Sequence, residues 1–379
     1  MKIVIDENIA FAQEAFEPFG EVTLCHGRKI DNALLKDADA LLVRSITKVG
    51  KALLENTRVS FVGTATIGSD HIDLSYLHNH SIAFTDAKGC NAFAVTEYVI
   101  SVICDYVNRN HLKFSDLTLG IVGAGDIGTK VAEAGSLLGL QVLLNDPPKE
   151  LSGDPRVFAP LRKVLSSSIV TIHTPLTYDG DFPTYHLLDV PEISALHANQ
   201  LLINAGRGEV VNNAVLSEHL RNTPLTVALD VWEKEGEINQ ELLSQVAYAS
   251  PHVAGYSLEG KVNGTAMIYK AFAQHFNLPQ RWIPPTGKRE IIDLSSANIA
   301  SIEELLYTIT HSIYDCSADT AQLKKAITLN KNEVGEYFDL LRKNYSLRKE
   351  FLNFTIVLPK SAMHFAETLK GLRFIVAEG

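Results

Sequence analysis

Leu119-Gly120-Ile121-Val122-Gly123-Ala124-Gly125-Asp126-Ile127-Gly128, an apolar helical run to Gly139, and then Val142-Leu143-Leu144-Asn145-Asp146 together decide the fold. The first four residues carry almost no polarity and read as a buried strand. Gly123 permits a tight turn, Gly125 lets the backbone approach a pyrophosphate, and Gly128 lets the next helix pack on the strand. That helix starts at Asp126 and Ile127, and its free N–H groups face the phosphates. Val131, Ala134, Leu137 and Leu138 recur at helical spacing until Gly139 stops the run. Asp146 follows Gly128 by 18 positions at the end of a second strand, where a carboxylate binds the adenosine ribose hydroxyls. Glycines in this spacing alone would suggest only a turn. Strand, glycines, helix, strand and acid in order point to a dinucleotide site, and Asp146 favours NAD because it would repel the extra phosphate of NADP.

Working outward, short apolar runs alternate with helical stretches through residues 1–92, with strands expected at Lys2–Ile5, Ala40–Val43, Ser60–Gly63 and Ile82–Thr85. This is the pattern of a small parallel α/β unit. Phe93–Tyr106 places Val95, Val99, Val102 and Ile103 on one side of a helix that would bridge two units. After Asp146, strands are expected at Ser168–His173, Leu201–Asn204, Thr226–Val231 and Tyr248–Ser250. A doubly wound parallel sheet follows, with ligands at the carboxyl ends of its strands.

Trp282-Ile283-Pro284-Pro285 marks a boundary, because paired prolines continue neither a helix nor a central strand. Beyond it, Ser301-Ile302-Glu303-Glu304 reads as a capping box ahead of an apolar stripe at Ile302, Leu305, Leu306, Ile309 and Ile313. Helices are expected at Thr320–Ile327 and Glu333–Leu341, and strands at Asn353–Leu358 and Arg373–Ala377. The fold class is therefore α/β, with two Rossmann-like or flavodoxin-like domains and a small α+β C-terminal domain.

The 379 residues carry a net charge of −10, which argues against a general nucleic-acid binder. Residues 284–379 hold 12 basic and 12 acidic residues, so the acidic excess lies upstream. Cys25, Cys90, Cys104 and Cys316 lie far apart without metal-ligand spacing, which suggests reduced thiols and no metal. Acids at Asp6 and Glu7 come too early for a signal peptide, no run reaches membrane-span length, and a cytoplasmic location is expected.

Polar residues stand where the strand-end rule places a ligand. Arg207, flanked by Gly206 and Gly208, offers a planar fork suited to a carboxylate; standing alone it would be a surface arginine. Asp230 and Glu235 follow the next strand, and His252 follows Ser250-Pro251. Together they fit oxidation of an alcohol beside a carboxylate. Arg207 would hold the carboxylate and His252 would take the hydroxyl proton. Glu235 would orient His252 and favour its imidazolium form.

The ordered set Gly123-x-Gly125-x-x-Gly128…Asp146, His173-Thr174-Pro175-Leu176, Asn204-Ala205-Gly206-Arg207-Gly208, Asp230-Val231, Glu235 and Ser250-Pro251-His252 resembles the D-2-hydroxyacid dehydrogenase family over roughly residues 1–283. Val43–Val49, Gly63–Asp73, Gly89–Ala92, His252–Lys261 and the extra C-terminal domain resemble one branch of it, which acts on a phosphorylated hydroxy acid. Ile67 and Ser69 depart from the small or Thr-like residues expected there, a matter of loop shape. The resemblance implies a substrate-binding lid domain (residues 1–92 and 255–283), an NAD-binding domain (93–254) and a C-terminal dimerisation domain (284–379). It implies a cleft that closes on its ligands and a homodimer. It implies substrate contacts at Ser45, Thr66 and Tyr256, and cofactor contacts at Asp146, Thr174, Ala205, Gly206, Arg207, Asp230 and Gly255.

Arg44 and Lys48 follow a first-domain strand and could meet a substrate phosphate, the alternative being ordinary solvated charge. The tail cluster Arg342, Lys343, Arg348 and Lys349 is a weaker candidate, reaching across a dimer. Two alternatives stay open: a sister dehydrogenase acting on phosphoglycerate, glyoxylate or another 2-hydroxy acid, and an NAD-sensing regulator of the same fold without turnover.

Overall fold

The computed structural model describes residues 1–379, which divide into two compact units. The first comprises Met1–Asn91 and Ser257–Gly287. Its strands β1 (Lys2–Asp6), β2 (Glu21–Cys25), β3 (Ala40–Val43), β4 (Phe61–Thr64) and β5 (Ala83–Thr85) form a parallel sheet in the order β2-β1-β3-β4-β5. β3 and β4 are buried along their whole length, as central parallel strands covered on both faces must be. The helix Leu258–His275 returns to cover one face, where Phe272 meets Phe16 at 5.2 Å and Phe61 at 5.6 Å, both edge-on. Each such pair adds about 1 kcal/mol beyond the buried area.

The second unit comprises Ala92–Tyr256 and Lys288–Gly379. Strands β6 (Thr118–Val122), β7 (Gln141–Asn145), β8 (Ile169–Ile172), β9 (Leu201–Asn204), β10 (Thr226–Leu229) and β11 (Tyr248–Ala249) form a parallel sheet in the order β11-β10-β9-β8-β6-β7. Phe158 bridges Leu144 of β7 in parallel, a third Rossmann strand reduced to one residue. Pro155 and Pro160 flank it and lack the N–H groups a longer ladder needs. The helix Ala92–Arg109 is buried nearly all round, which explains why its pattern is more apolar than a one-sided stripe.

The C-terminal segment has its own parallel sheet, β12 (Glu290–Asp293), β13 (Phe354–Leu358) and β14 (Ile375–Glu378), in the order β12-β13-β14. β12 is absent from the sequence-based expectation because its Glu290-Ile291-Ile292-Asp293 is an edge strand with Ile291 71% exposed. The segment has no separate core. Leu305, Leu306, Ile309 and Ile356 pack in one cluster with Tyr98, Ile103 and Leu119, while Val334 and Phe338 join another with Trp232 and Leu242. Half of the expected capping box forms. Ser301 Oγ accepts from Glu304 N at 3.2 Å, but the Glu304 carboxylate turns back to the N–H of Ala300. No helix is long and apolar enough to cross a membrane.

Candidate active site

Three glycines shape the turn after β6. Gly123 sits at φ +91°, and a Cβ there would lie 2.8 Å from the backbone of His173 and Thr174. A Cβ on Gly128 would lie 2.0 Å from the Gly123 carbonyl oxygen, so only glycine lets the Asp126–Leu137 helix pack this close. Gly125, by contrast, faces open space at the helix N-terminus, where a phosphate needs room. Asp146 terminates β7 with both oxygens engaged: Oδ2 accepts from Ala124 N at 2.9 Å and Oδ1 from Lys149 N at 3.1 Å. It thereby ties the glycine turn to the next helix, in addition to any ribose contact.

At the end of β8, His173 Nδ1 and Thr174 Oγ1 are buried without hydrogen-bond partners. Burial pushes the His173 imidazole down to about 3, so it stays neutral. Two orphaned polar groups, an open glycine cradle and an acid at the second strand end are what a dinucleotide would satisfy. These residues fit NAD. Ala205 and Gly206 follow β9 beside this turn, and a Cβ on Gly206 would lie 3.2 Å from the Ile172 carbonyl.

The loop after β9 is folded by Asn204. Its Oδ1 accepts from Gly206 N at 3.1 Å and its Nδ2 donates to the Arg207 carbonyl at 3.0 Å. Arg207 Nη1 donates to the Gly206 carbonyl at 3.0 Å. Gly208 is needed because a Cβ would meet the Trp232 backbone at 2.0 Å.

Glu235 and His252 come together although 17 positions separate them in sequence: Nδ1 lies 2.5 Å from Oε1. Both lie in strained loops, Lys234 at φ +53° and His252 itself at φ +57°, conformations that non-glycine residues hold only when their surroundings impose them. Asp230 imposes the second. It is 1% exposed, its carbonyl accepts from His252 N at 2.7 Å, and its carboxylate accepts from Ser250 Oγ (2.6 Å), Val253 N (2.8 Å) and Ala254 N (3.0 Å). The expected cofactor residue is thus also the internal bracket of the His252 loop, and it leads on to Gly255 and Tyr256.

Burial pushes the Glu235 carboxyl up. The charge and hydrogen bond of His252, with Arg342 and Arg207 nearby, outweigh that and hold it below its ordinary value. An ionised Glu235 fixes one imidazole nitrogen and leaves Nε2 for proton exchange.

In the first unit, Arg44, Ser45 and Lys48 follow β3, and Thr66 follows β4. Ser45 and Lys48 are exposed, and Arg44 is half-buried. Thr66 Oγ1 contacts Thr64 Oγ1 at 2.7 Å, and Thr64 contacts His71 Nε2 at 3.1 Å. Burial, only partly offset by Asp70, holds the His71 imidazole below its ordinary value.

The tail cluster divides. Lys343 is exposed, and Lys349 pairs with Glu290 at 2.6 Å. Arg342 Nη1 instead lies 3.7 Å from Glu235 Oε2, within its own chain. Sequence reasoning also missed a second pair, His186 Nε2 with Glu233 Oε1 at 2.5 Å. Glu233 Oε2 accepts from Asn213 N at 2.9 Å, pinning the loop just ahead of Glu235. The only sequence signal for it is a histidine seated after Thr184-Tyr185, and that signal is weak.

Residues 104–254 match the family model of the D-isomer specific 2-hydroxyacid dehydrogenase NAD binding domain, and residues 286–371 match a domain of unknown function. The chain is 42% identical over 380 residues to erythronate-4-phosphate dehydrogenase of Hahella chejuensis, covering 99% of each. It is 41% identical to that of Serratia proteamaculans, covering 100% of each. Among solved structures it is similar to the NAD+-bound 3-phosphoglycerate dehydrogenase of Entamoeba histolytica (TM-score 0.63, 22% identity, 73% of this chain and 95% of that one). It is also similar to the D-lactate dehydrogenase of Aquifex aeolicus with NAD and lactic acid (TM-score 0.57, 23% identity, 73% and 96%). At this identity these structures speak to the fold.

Proposed function

The chain belongs to the D-isomer specific 2-hydroxyacid dehydrogenase family, and from that premise we propose that it oxidises 4-phospho-D-erythronate to 2-oxo-3-hydroxy-4-phosphobutanoate with NAD, a step in pyridoxal 5′-phosphate biosynthesis. The chemistry rests on one observation, the 2.5 Å contact between His252 and an ionised Glu235 with Arg207 close enough to act on the same carboxylate. The substrate rests on near-full-length identity to proteins of that name.

NAD, when bound, supplies the hydride acceptor, and Gly123, Gly125, Asp126, Ile127, Gly128, Asp146, Thr174, Ala205, Gly206, Arg207, Asp230 and Gly255 would hold it. Arg207 binds the substrate carboxylate through its planar fork. His252 accepts the C2 hydroxyl proton at Nε2, and Glu235 stabilises the imidazolium that forms. The neutral His173 is unsuited to that role, since burial already disfavours its charged form. Tyr256, with Ser45 and Thr66, contacts the substrate, and Arg44 and Lys48 take its phosphate. We also propose a homodimer formed through the C-terminal segment and a cytoplasmic location.

The test follows NADH absorbance when purified protein meets NAD and 4-phospho-D-erythronate, with a 2-oxo acid added in parallel tubes to recycle retained cofactor. Turnover that D-erythronate cannot support is expected. No turnover in either arm, from protein that binds NAD, would favour a sister 2-hydroxy acid or a sensor. Light scattering of the same sample checks the dimer.

A further inference from the structure

The helix Lys331–Lys343 of the C-terminal segment lies directly against the loop that carries Glu235. Its Gly335 is so close that a Cβ there would stand 2.5 Å from the Gly236 carbonyl oxygen. This contact aims Arg342, in the last turn of the helix, at the acid–base pair. Arg342 Nη1 is 3.7 Å from Glu235 Oε2, and Nη2 donates to the Tyr256 hydroxyl at 3.3 Å. The guanidinium sits 5.9 Å from the Tyr256 ring centre and 5.8 Å from that of Phe338, and its Nε is buried without a partner. Arg348 braces the segment that follows His252. Its guanidinium donates to the carbonyls of Ala94 (2.8 Å), Val253 (3.2 Å) and Ala254, the last two immediately after His252.

We propose that Arg342 is a positioning residue for the reaction, fixing Glu235 and Tyr256 from the C-terminal segment of the same chain. A carboxylate held at one oxygen can still rotate about its terminal torsion. Here Oε1 faces His252 and Oε2 faces Arg342, so the rotation is arrested and the imidazole plane with it. Arginine suits the task because it stays charged when buried, sits within 6 Å of the Tyr256 and Phe338 ring centres, and reaches two acceptors through one planar fork. A lysine would keep the charge but serve both acceptors poorly. The charges facing Glu235 are then His252, Arg342 and Arg207. A buried arginine recruited only for packing would have no reason to divide its fork between these two residues.

The inference rests on the reaction assigned above, so the experiment separates the two. Wild type, R342M and R342K are compared for kcat, KM for 4-phospho-D-erythronate, NAD affinity by fluorescence, and thermal melting. The His252 ring signals are followed by NMR against pH. Inactive wild type would fail the assigned reaction, while the NMR comparison would still report on Arg342. With active wild type, R342M is expected to lose at least about tenfold in kcat, the scale of breaking one largely buried ion pair, with KM and NAD affinity within about twofold. R342K should restore part of that loss, and the His252 titration should move in R342M. Unchanged kcat with an unmoved titration, or an effect confined to KM, would overturn the proposal. If R342M fails to fold, R342K carries the test: lowered kcat at constant KM supports it, and wild-type kcat refutes it.

Discussion

His173 makes the second unit sensitive to acid, and the size of the effect can be worked out. Its ring is buried at the end of β8 with Nε2 2.9 Å from Thr171 Oγ1, and burial pushes it down to about 3 from an ordinary 6.5. Between those values the unfolded chain takes a proton that the folded chain refuses. The neutral ring's contribution is therefore complete above pH 6.5 and is lost as pH falls through it, at about 1.4 kcal/mol per unit. From pH 7.5 to pH 5 this amounts to about 2 kcal/mol, a sizeable part of the 5–15 kcal/mol typical of a folded domain. The perturbation is His173→Gln, which offers Thr171 a partner that does not titrate. Urea unfolding of both proteins at pH 7.5, 6 and 5, followed by circular dichroism, cancels the groups they share. The gap between them should shift by about 2 kcal/mol in favour of the glutamine variant at pH 5. A gap constant to within about 0.5 kcal/mol would mean that His173 protonates freely in the folded protein, refuting the reasoning.

Three further expectations follow from the same packing and charge arguments. Asp230→Asn replaces one acceptor oxygen of the His252 bracket with an N–H donor facing N–H, and should cost about 3 kcal/mol in urea midpoint analysis and lower kcat; retention of both would deny Asp230 its bracketing role. Gly128→Ala gains up to ~1 kcal/mol of helix propensity but drives a Cβ into the Gly123 carbonyl, so NAD affinity by calorimetry should fall at least about tenfold, and normal affinity would contradict the close packing. Glu97 is held above the ordinary carboxylate range by burial and then by Glu350, with Arg373 opposing; its folded form keeps a proton that the unfolded chain releases, so stability drops as pH rises above about 4.5. Glu97→Gln should flatten that drop between pH 5 and 8 in thermal melts, and a steeper one would reverse the sign.

What could be read from the sequence was what local backbone physics dictates. Gly123, Gly125 and Gly128 lie between a buried strand and a helix, with Asp146 closing the next strand, so the ordered set carries the dinucleotide turn where the glycines alone would not. The strand-end rule likewise placed Arg207, Glu235 and His252, because parallel strands deliver their loops to one edge. Arg342 was visible only as one charge in a basic cluster on a helix. Its partner Glu235 lies 107 positions earlier, and no periodicity reports such a distance. β12 escaped because an exposed edge strand has no buried pattern to display. Phe158 was hidden for the opposite reason, a strand cut down by prolines to a single bridge.

The shared core of the second unit bears on how such a chain can be shortened. Leu305, Leu306 and Ile309 form a wall against which Tyr98 and Ile103 of the Ala92–Arg109 helix are buried. Cutting after residue 287 would uncover the face of that helix covered by Ile302–Ile313 and strip the supports from both loops of the acid–base pair. The remainder would not be a smaller dehydrogenase of the two-domain kind but a chain with an open apolar flank, prone to aggregate. Duplication or recombination could therefore pass on this C-terminal segment and the sheet beneath it only as one piece.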